Sequence, residues 1–415
     1  MTDDSDVLIL GGGVIGLACA HYLLAAGRSV EVIEQTAPGA GASHGNCGTL
    51  TPSHAPPLPM PGMIGKALRM MFEADAPFHV KPRLDFEMLW WMLRFAARCN
   101  WKDYCAAIPS RAALLMRSRE LIEGIIAEAG LDCGFESLGT LSVYRDTVSI
   151  EQMQSFLARL HEVHIPFTLM NGAKARELEP ALGERIAGAI HYPRDAHLRP
   201  DRYVAELARH VRARGGTIRE GERAVGFRKE GGRVSAVITS SGERRARDVV
   251  LALGAWSPTL GRALGLRIPI QPGKGYSITY ERPAICPRIP LTLKERSVCV
   301  TGWSGGYRLG STMEFAGYDT SLNRRRLDAL VHGAAEYLIE PEGPRRIEEW
   351  YGWRPMTWDD QPIIGRAPGL DNVTLATGHG MLGVTLSAIT GLLVSEIICV
   401  RPPSVDLAPF SPARF

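Results

Sequence analysis

The chain has 415 residues, 45% apolar and 22% charged, enough for two domains, or for one large α/β domain with an insertion, and a sizeable core. Its 47 basic and 44 acidic residues leave a net charge of +3, too balanced for a nucleic-acid binder, so no nucleic-acid partner is expected. The acidic start MTDDSD lacks the positive region and apolar run of a secretory leader, and the eight cysteines include no C-x-x-C pair, so unpaired thiols and no metal site are expected.

Val7–Leu10 is a short apolar run ended by glycines, which predicts a buried strand. Val14–Ala26 has helical spacing and stops at Gly27, and Ser29–Ile33 predicts a second strand, so the chain opens as a βαβ unit. Thr51–Gly62 carries five prolines and reads as irregular. Phe86–Trp101 and Pro109–Ala129 read as the helices of an insertion. Strands are expected at Leu141–Tyr144 and Ala189–Tyr192, an amphipathic helix at Asp201–Arg214, and strands at Val234–Thr239 and Asp248–Leu253. Alternating strands follow from Arg267 to Thr312, then a helix at Leu322–Leu338 and a strand at Val373–Ala376. Gly380–Ser395 is too short and too rich in glycine and hydroxyls to span a bilayer and reads as a buried helix.

Gly11-Gly12-Gly13-Val14-Ile15-Gly16 fits G-x-G-x-x-G between a strand and a helix. The first glycine permits the tight turn, the second lets the backbone approach a pyrophosphate, and the third lets helix and strand pack closely. The helix N-terminus offers N–H groups to phosphate, and Glu34 at the end of the second strand can accept from ribose hydroxyls while disfavouring a 2′-phosphate. This motif alone does not separate FAD from NAD. The next segment, Pro38–Leu50, is rich in glycine and small polar residues and suits a flat ring system better than the helix usual in NAD domains.

Five stretches then carry a resemblance to the FAD-dependent amine oxidoreductases of the D-amino acid oxidase and glycine oxidase superfamily, and more closely to bacterial D-amino acid dehydrogenases. They are Gly11–Glu34, Ala42–Gly48, Val250–Trp256, Lys274–Ser277, and the pair Tyr351–Gly365 and Ala376–Gly391. The resemblance implies an α/β fold: a Rossmann-type FAD-binding domain from the discontinuous segments 1–85, 195–265 and 340–415, and a strand-rich α+β substrate domain with a helical insertion from 86–194 and 266–339. It implies that FAD contacts Gly11, Gly13, Val14, Ile15, Gly16, Glu34, Gln35, Ala42, Ser43, Asn46, Gly48, Thr49, Leu50, Ala224, Gly254, Trp256, Gly378, His379, Gly380, Met381, Leu382 and Gly383. The helix after the Gly378–Gly383 block is expected to aim its positive end at the flavin, with His379 either bracing the loop or moving protons. No cysteine lies in Tyr351–Gly365 and His44 is one place off the usual attachment histidine, so FAD is expected to be non-covalent.

By the same resemblance Arg354 grips a substrate carboxylate and Tyr276 donates to it, while His54 either contacts substrate or is a solvated loop residue. The bland alternatives are an ion pair of Arg354 with Asp359 or Asp360 and a core Tyr276 with its hydroxyl satisfied. The implied reaction is oxidative deamination of an amino or imino acid by hydride transfer to flavin N5, giving an imine and then a 2-oxo acid. Departures at Ser53–Pro56, Trp353, Met381 and Val384 favour an unusual substrate, a D-amino acid or a cyclic D-imino acid such as D-proline or D-hydroxyproline. Electrons are expected to reach a quinone or another acceptor, from a cytoplasmic protein at the inner face of the membrane or bound to a partner subunit. Phe86–Trp101 and Met60–Phe72, with Arg94, Arg98, Lys66 and Arg69, are the candidate contact, against a core or subunit role. The alternatives are an oxygen-using glycine/sarcosine-type oxidase and a flavin-carrying subunit of a larger complex.

Overall fold

A computed structural model of the chain describes residues 5–70, 78–81 and 83–415; Met71 and Phe72 of the candidate contact segment lie outside the described residues. The first strand, Ser5–Leu10, has Val7, Leu8, Ile9 and Leu10 fully buried, as a strand covered on both faces requires. It pairs in parallel with Val30–Ile33 on one side and Ala246–Leu251 on the other. The whole sheet runs Ile363–Arg366, Val373–Thr377, Ala246–Leu251, Ser5–Leu10, Val30–Ile33, Thr217–Arg219, parallel except for Ile363–Arg366 at the edge.

In a second, nine-stranded sheet the long strand Ile270–Tyr280 lies next to the edge strand Arg346–Thr357 and pairs antiparallel with it and with Gly306–Phe315. All eleven residues of Ile270–Tyr280 are buried. Its pairing with Gly306–Phe315 slips between Lys274 and Tyr276, a bulge where Ser311 and Thr312 take positive φ. A three-stranded antiparallel ribbon, Ala224–Glu230, Arg233–Thr239 and Gly242–Arg244, completes the β structure apart from a short pair of Thr49–Leu50 with Ala196–His197.

Three boundaries depart from the sequence reading. Arg346–Thr357, read with the nucleotide-binding segments, belongs to the nine-stranded sheet, as does Phe78–Val80. The second insertion helix does not begin at Pro109 but runs unbroken over Trp101–Ala129, because Asn100 caps it by accepting from Asp103 N. Pro109 sits inside, where its missing N–H removes one backbone bond, a loss offset by burial of Tyr104, Ile108, Leu114 and Leu115. This helix packs in the core formed by the opening helix Val14–Ala25 and the last helix, Ser387–Ile398, rather than standing apart as an insertion. No helix among the described residues is long and apolar enough to cross a membrane.

Candidate active site

The two large sheets meet at a cleft of about 840 Å³. At one end lies the glycine turn. Gly11 has φ +108, and a Cβ at Gly16 would lie 1.9 Å from the Gly11 carbonyl, so the helix starts as close to its strand as backbone allows. Gly13 and Gly254 face open space: a Cβ on Gly13 would meet only Ser43 Oγ, at 3.5 Å, and one on Gly254 nothing within 4 Å. Gly13, before Val14–Ala25, has no side chain to cap the helix, and the side chain that meets its first N–H comes from elsewhere: Ser43 Oγ accepts from Val14 N at 3.2 Å. Glu34 is held by Gly12 N at 2.8 Å and Thr36 N at 2.9 Å, which fixes its carboxylate at the cleft edge.

Most of the expected cofactor residues line this cleft, from Gly11, Gly13, Glu34 and Gln35 through Ala42–Ser43, Ala224 and Trp256 to His379–Gly383. Gly16, Gly48, Leu50 and Gly378 stand behind the lining. Gly48 is pressed against the Leu198 carbonyl, Gly378 against Thr357, and Leu50 is fully buried in the core. The closing helix starts at Ser387, beyond a run of turns, so its positive end is several residues further along than the sequence reading had it. His379 points back to Thr390 Oγ1 at 2.9 Å, and burial pushes its imidazole down to about 3. It is therefore neutral, in the geometry of the bracing role.

At the other end Arg354 reaches the cleft from the Arg346–Thr357 strand. Its Nη1 donates to Thr312 O at 2.7 Å and its Nη2 to Ser311 O at 3.4 Å, the two carbonyls turned by the bulge. The guanidinium lies where any side chain at Gly275 would be, 2.3 Å from an added Cβ. The two carboxylates that could have neutralised it are taken: Asp360 pairs with Arg111 at 3.1 Å and Asp359 with Arg414 at 2.8 Å. Burial pulls the Arg354 pKa below its ordinary range, opposed only by the thiols of Cys47 and Cys299.

Tyr276 takes the second of its two expected forms, a buried tyrosine with its hydroxyl satisfied. Its hydroxyl donates to Glu314 Oε2 at 2.6 Å in a buried pair, and burial with that bond raises its pKa, so the hydroxyl is spoken for. Tyr351, its register partner on the next strand, lines the cleft beside it, with the Lys274 ammonium 4.6 Å from its ring centre. Trp353 makes edge contacts with Trp256 at 5.6 Å and Tyr351 at 5.4 Å, an aromatic box in the lining of the cleft.

His54 is exposed and lines the cleft. Burial by the surrounding protein, then Lys294 and Arg111, hold its imidazole down to about 4. Its turn is pinned by Asp195, fully buried, which accepts from Ser53 N at 3.0 Å, Ser53 Oγ at 2.6 Å and Thr140 Oγ1 at 2.7 Å. Burial drives Asp195 up to about 6 despite these bonds. His44 is paired with Glu348 at 2.8 Å, which raises the imidazole pKa and lowers that of the carboxyl.

A glycine turn on a parallel sheet, sharing one cleft with an antiparallel sheet that carries a cation, is the architecture of a dinucleotide-dependent enzyme with a separate substrate layer. Residues 6–397 match the DAO family, described as FAD dependent oxidoreductase. Over 420 residues the sequence is 32% identical to a D-amino acid dehydrogenase of Xanthobacter autotrophicus, covering 99% of each chain. A D-amino acid dehydrogenase of Allorhizobium ampelinum is 32% identical over 416 residues, covering 99% of this chain and 98% of that one. The fold is similar to that of glycine oxidase from Geobacillus kaustophilus, with TM-score 0.82 at 24% identity and full coverage of both chains. It is also similar to L-proline dehydrogenase from P. horikoshii, with TM-score 0.76 at 21% identity over 100% of this chain and 98% of that one. The chain belongs to the DAO family of FAD-dependent oxidoreductases and, by its full-length relatives, to the D-amino acid dehydrogenase family within it. Its cleft fits that cofactor: a helix end with no cap residue of its own, open glycines and an oriented carboxylate at one end, and room for a flat ring at the other.

Proposed function

We propose that this enzyme oxidises a D-amino acid to its imine, with compact and cyclic D-imino acids such as D-proline and D-hydroxyproline preferred, and that an acyclic imine then hydrolyses to the 2-oxo acid. One observation carries the reading: Arg354 is a desolvated cation facing the cleft with no carboxylate in ion-pair range among the described residues. A substrate carboxylate supplies the missing anion through parallel hydrogen bonds from a guanidinium already oriented by two carbonyls. The D configuration follows the full-length relatives, and the aromatic box of Trp256, Tyr351 and Trp353 favours a small, compact side chain.

In this reading the parallel sheet and its helices form the FAD-binding domain and the nine-stranded sheet the substrate domain. The Gly11–Gly16 turn takes the pyrophosphate, Glu34 the ribose and Ala224 the adenine. Ala42–Thr49, Gly254, Trp256 and His379–Gly383 surround the ring, which is held without a covalent bond. Bound FAD supplies the acceptor for the hydride and its two electrons. The chain supplies orientation. Arg354 fixes one end of the substrate, and His54, its imidazole pKa held below the ordinary value, accepts a hydrogen bond from the amine. The acidic residues along the cleft are already engaged: Glu34 by backbone, Glu222 by Arg244, Glu349 by Arg324. The substrate therefore loses its ammonium proton to water and enters as the free amine. The final oxidant is a quinone-type acceptor at the cytoplasmic membrane face, a role supported by the exposed apolar side chains of Leu84, Phe86, Leu89 and Leu93 beside Arg94 and Arg98.

Anaerobic bleaching of the flavin against D- and L-amino acids, including D-proline and the hydroxyprolines, tests the proposal. D-substrates should bleach it and Arg354→Leu should keep FAD but lose the response. Equal reduction by L-amino acids would overturn the stereochemical claim, and normal reduction of the variant would remove Arg354 from it. Turnover with an artificial acceptor, against turnover with oxygen alone, separates the dehydrogenase from an oxidase.

A further inference from the structure

Eight free cysteines are present, and two of them, Cys47 and Cys299, line the cleft. They come from distant parts of the chain. Cys47 lies in the loop after the second parallel strand, and Cys299 on the Val298–Trp303 strand of the other sheet. Cys299 is the register partner of Gly310 on the neighbouring antiparallel strand, so the two positions face the same side of the sheet. Gly310 has no side chain, and Cys47 Sγ occupies the vacancy, 2.5 Å from where a Cβ would stand. The two side chains are thereby brought to neighbouring places on one face of the sheet, at the end of the cleft that holds Arg354.

We propose that Cys47 and Cys299 form a reversible disulfide in the wall of the cleft, with hydrogen peroxide as the oxidant. The Cys299 thiolate attacks one peroxide oxygen; the O–O bond breaks, hydroxide leaves and a sulfenic acid forms. The Cys47 sulfur then attacks that sulfenic sulfur; the S–O bond breaks, the S–S bond forms, and the departing hydroxide leaves as water with the Cys47 proton. Two thiols and one peroxide become one disulfide and two waters.

The division of labour between the pair has a physical basis. The Cys47 hydrogen bond, then Arg354, Thr292 and Lys294, bring the Cys299 thiol down to about 7 against the effect of burial. The same bond and burial push Cys47 well up, opposed by Arg308 and Arg354. One sulfur is the nucleophile and the other the resolving thiol. The remaining cysteines offer no comparable setting. Cys19, Cys133 and Cys286 are buried and their thiols raised by burial, Cys99 is raised to about 11 by burial, and Cys105 and Cys399 lie off the cleft. Closing the bond removes the thiolate charge beside Arg354. It also pulls on a loop whose His44 and Asn46 carbonyls are tied to Arg308 Nη1 at 3.0 and 2.7 Å. Activity should therefore fall.

The test treats the FAD-loaded enzyme with hydrogen peroxide, then alkylates, digests and maps its peptides. A peptide linked through Cys47 and Cys299 should appear in step with a severalfold fall in turnover, and dithiothreitol should reverse both. In Cys47→Ser, Cys299 should pass on to the sulfinic acid and dithiothreitol should no longer restore turnover. Recovery of both cysteines alkylated after turnover has fallen would overturn the proposal, as would equal and equally reversible inactivation of the Cys47→Ser/Cys299→Ser variant. The peptide map of the unaltered protein decides the matter even where a variant does not fold, and it is independent of which amino acid the enzyme oxidises.

Discussion

The two ends of the cleft are built from different materials. The end at Gly11–Gly16 is made of backbone: a turn, a helix terminus with no cap residue of its own and a carboxylate held by amides. The end at Arg354 is made of side chains: a cation braced by two carbonyls of a bulge, a pair of thiols, an imidazole and an aromatic box. The backbone end is contiguous in the chain and intolerant of added atoms. The side-chain end is gathered from several distant stretches and intolerant of lost ones.

The strongest challenge to this contrast is Gly16→Ala, whose methyl would lie 1.9 Å from the Gly11 carbonyl. Overpacking of that kind costs about 1–3 kcal/mol, so the variant should purify without flavin absorbance and melt several degrees lower. Full flavin content would show the turn to be more forgiving than backbone contact implies. Next comes Arg354→Leu: loss of a desolvated charge partner predicts a fall in flavin reduction of about a hundredfold or more, with FAD content unchanged. Stopped-flow reduction and the absorbance ratio measure the two separately, and a joint loss would mean the two ends are not independent.

Asp195 sharpens the comparison more gently. Its pKa rises from 3.8 to about 6 on folding, so the folded state favours the protonated acid. That contribution is fully present below about pH 4 and is lost as pH rises through about 6; two units correspond to roughly 3 kcal/mol. The stability gap between the native protein and Asp195→Asn should therefore shrink from pH 4 to pH 6 and be flat above it, as read from urea midpoints. A constant gap would remove Asp195 as the titrating group. The smallest effect is expected at the surface: Phe86→Gln with Leu93→Gln should change stability by about 0.5 kcal/mol or less while reducing flotation with anionic vesicles. Unchanged flotation would leave that helix without a membrane role.

The backbone end was legible because its signals are local. A strand, three glycines, a helix and a glutamate lie within Asp6–Glu34, and the structure has each where the spacing predicts. Helix limits were less so: Asn100 out-competed Pro109 as a start signal because a cap acts at once, whereas a proline only weakens one later bond. Arg354 was marked by its Gly-Trp-Arg-Pro setting and by the resemblance, whereas the pairing of the nearby Asp359 and Asp360 with Arg414 and Arg111 was not legible, since those partners are remote in the chain. The choice between the two readings of Tyr276 was not legible for the converse reason, as Glu314 faces it only once two strands pair. The meeting of Cys47 and Cys299 left no trace in either local segment, because it depends on the register of a third, Gly310.

The guanidinium of Arg354 rests flat where a side chain at Gly275 would begin. Every substitution at 354 removes charge and placement together. A methyl at 275 would instead shift the intact cation off its seat, so this bare spot on a neighbouring strand is a tuning screw by which the reach of the site could be graded without altering its sign.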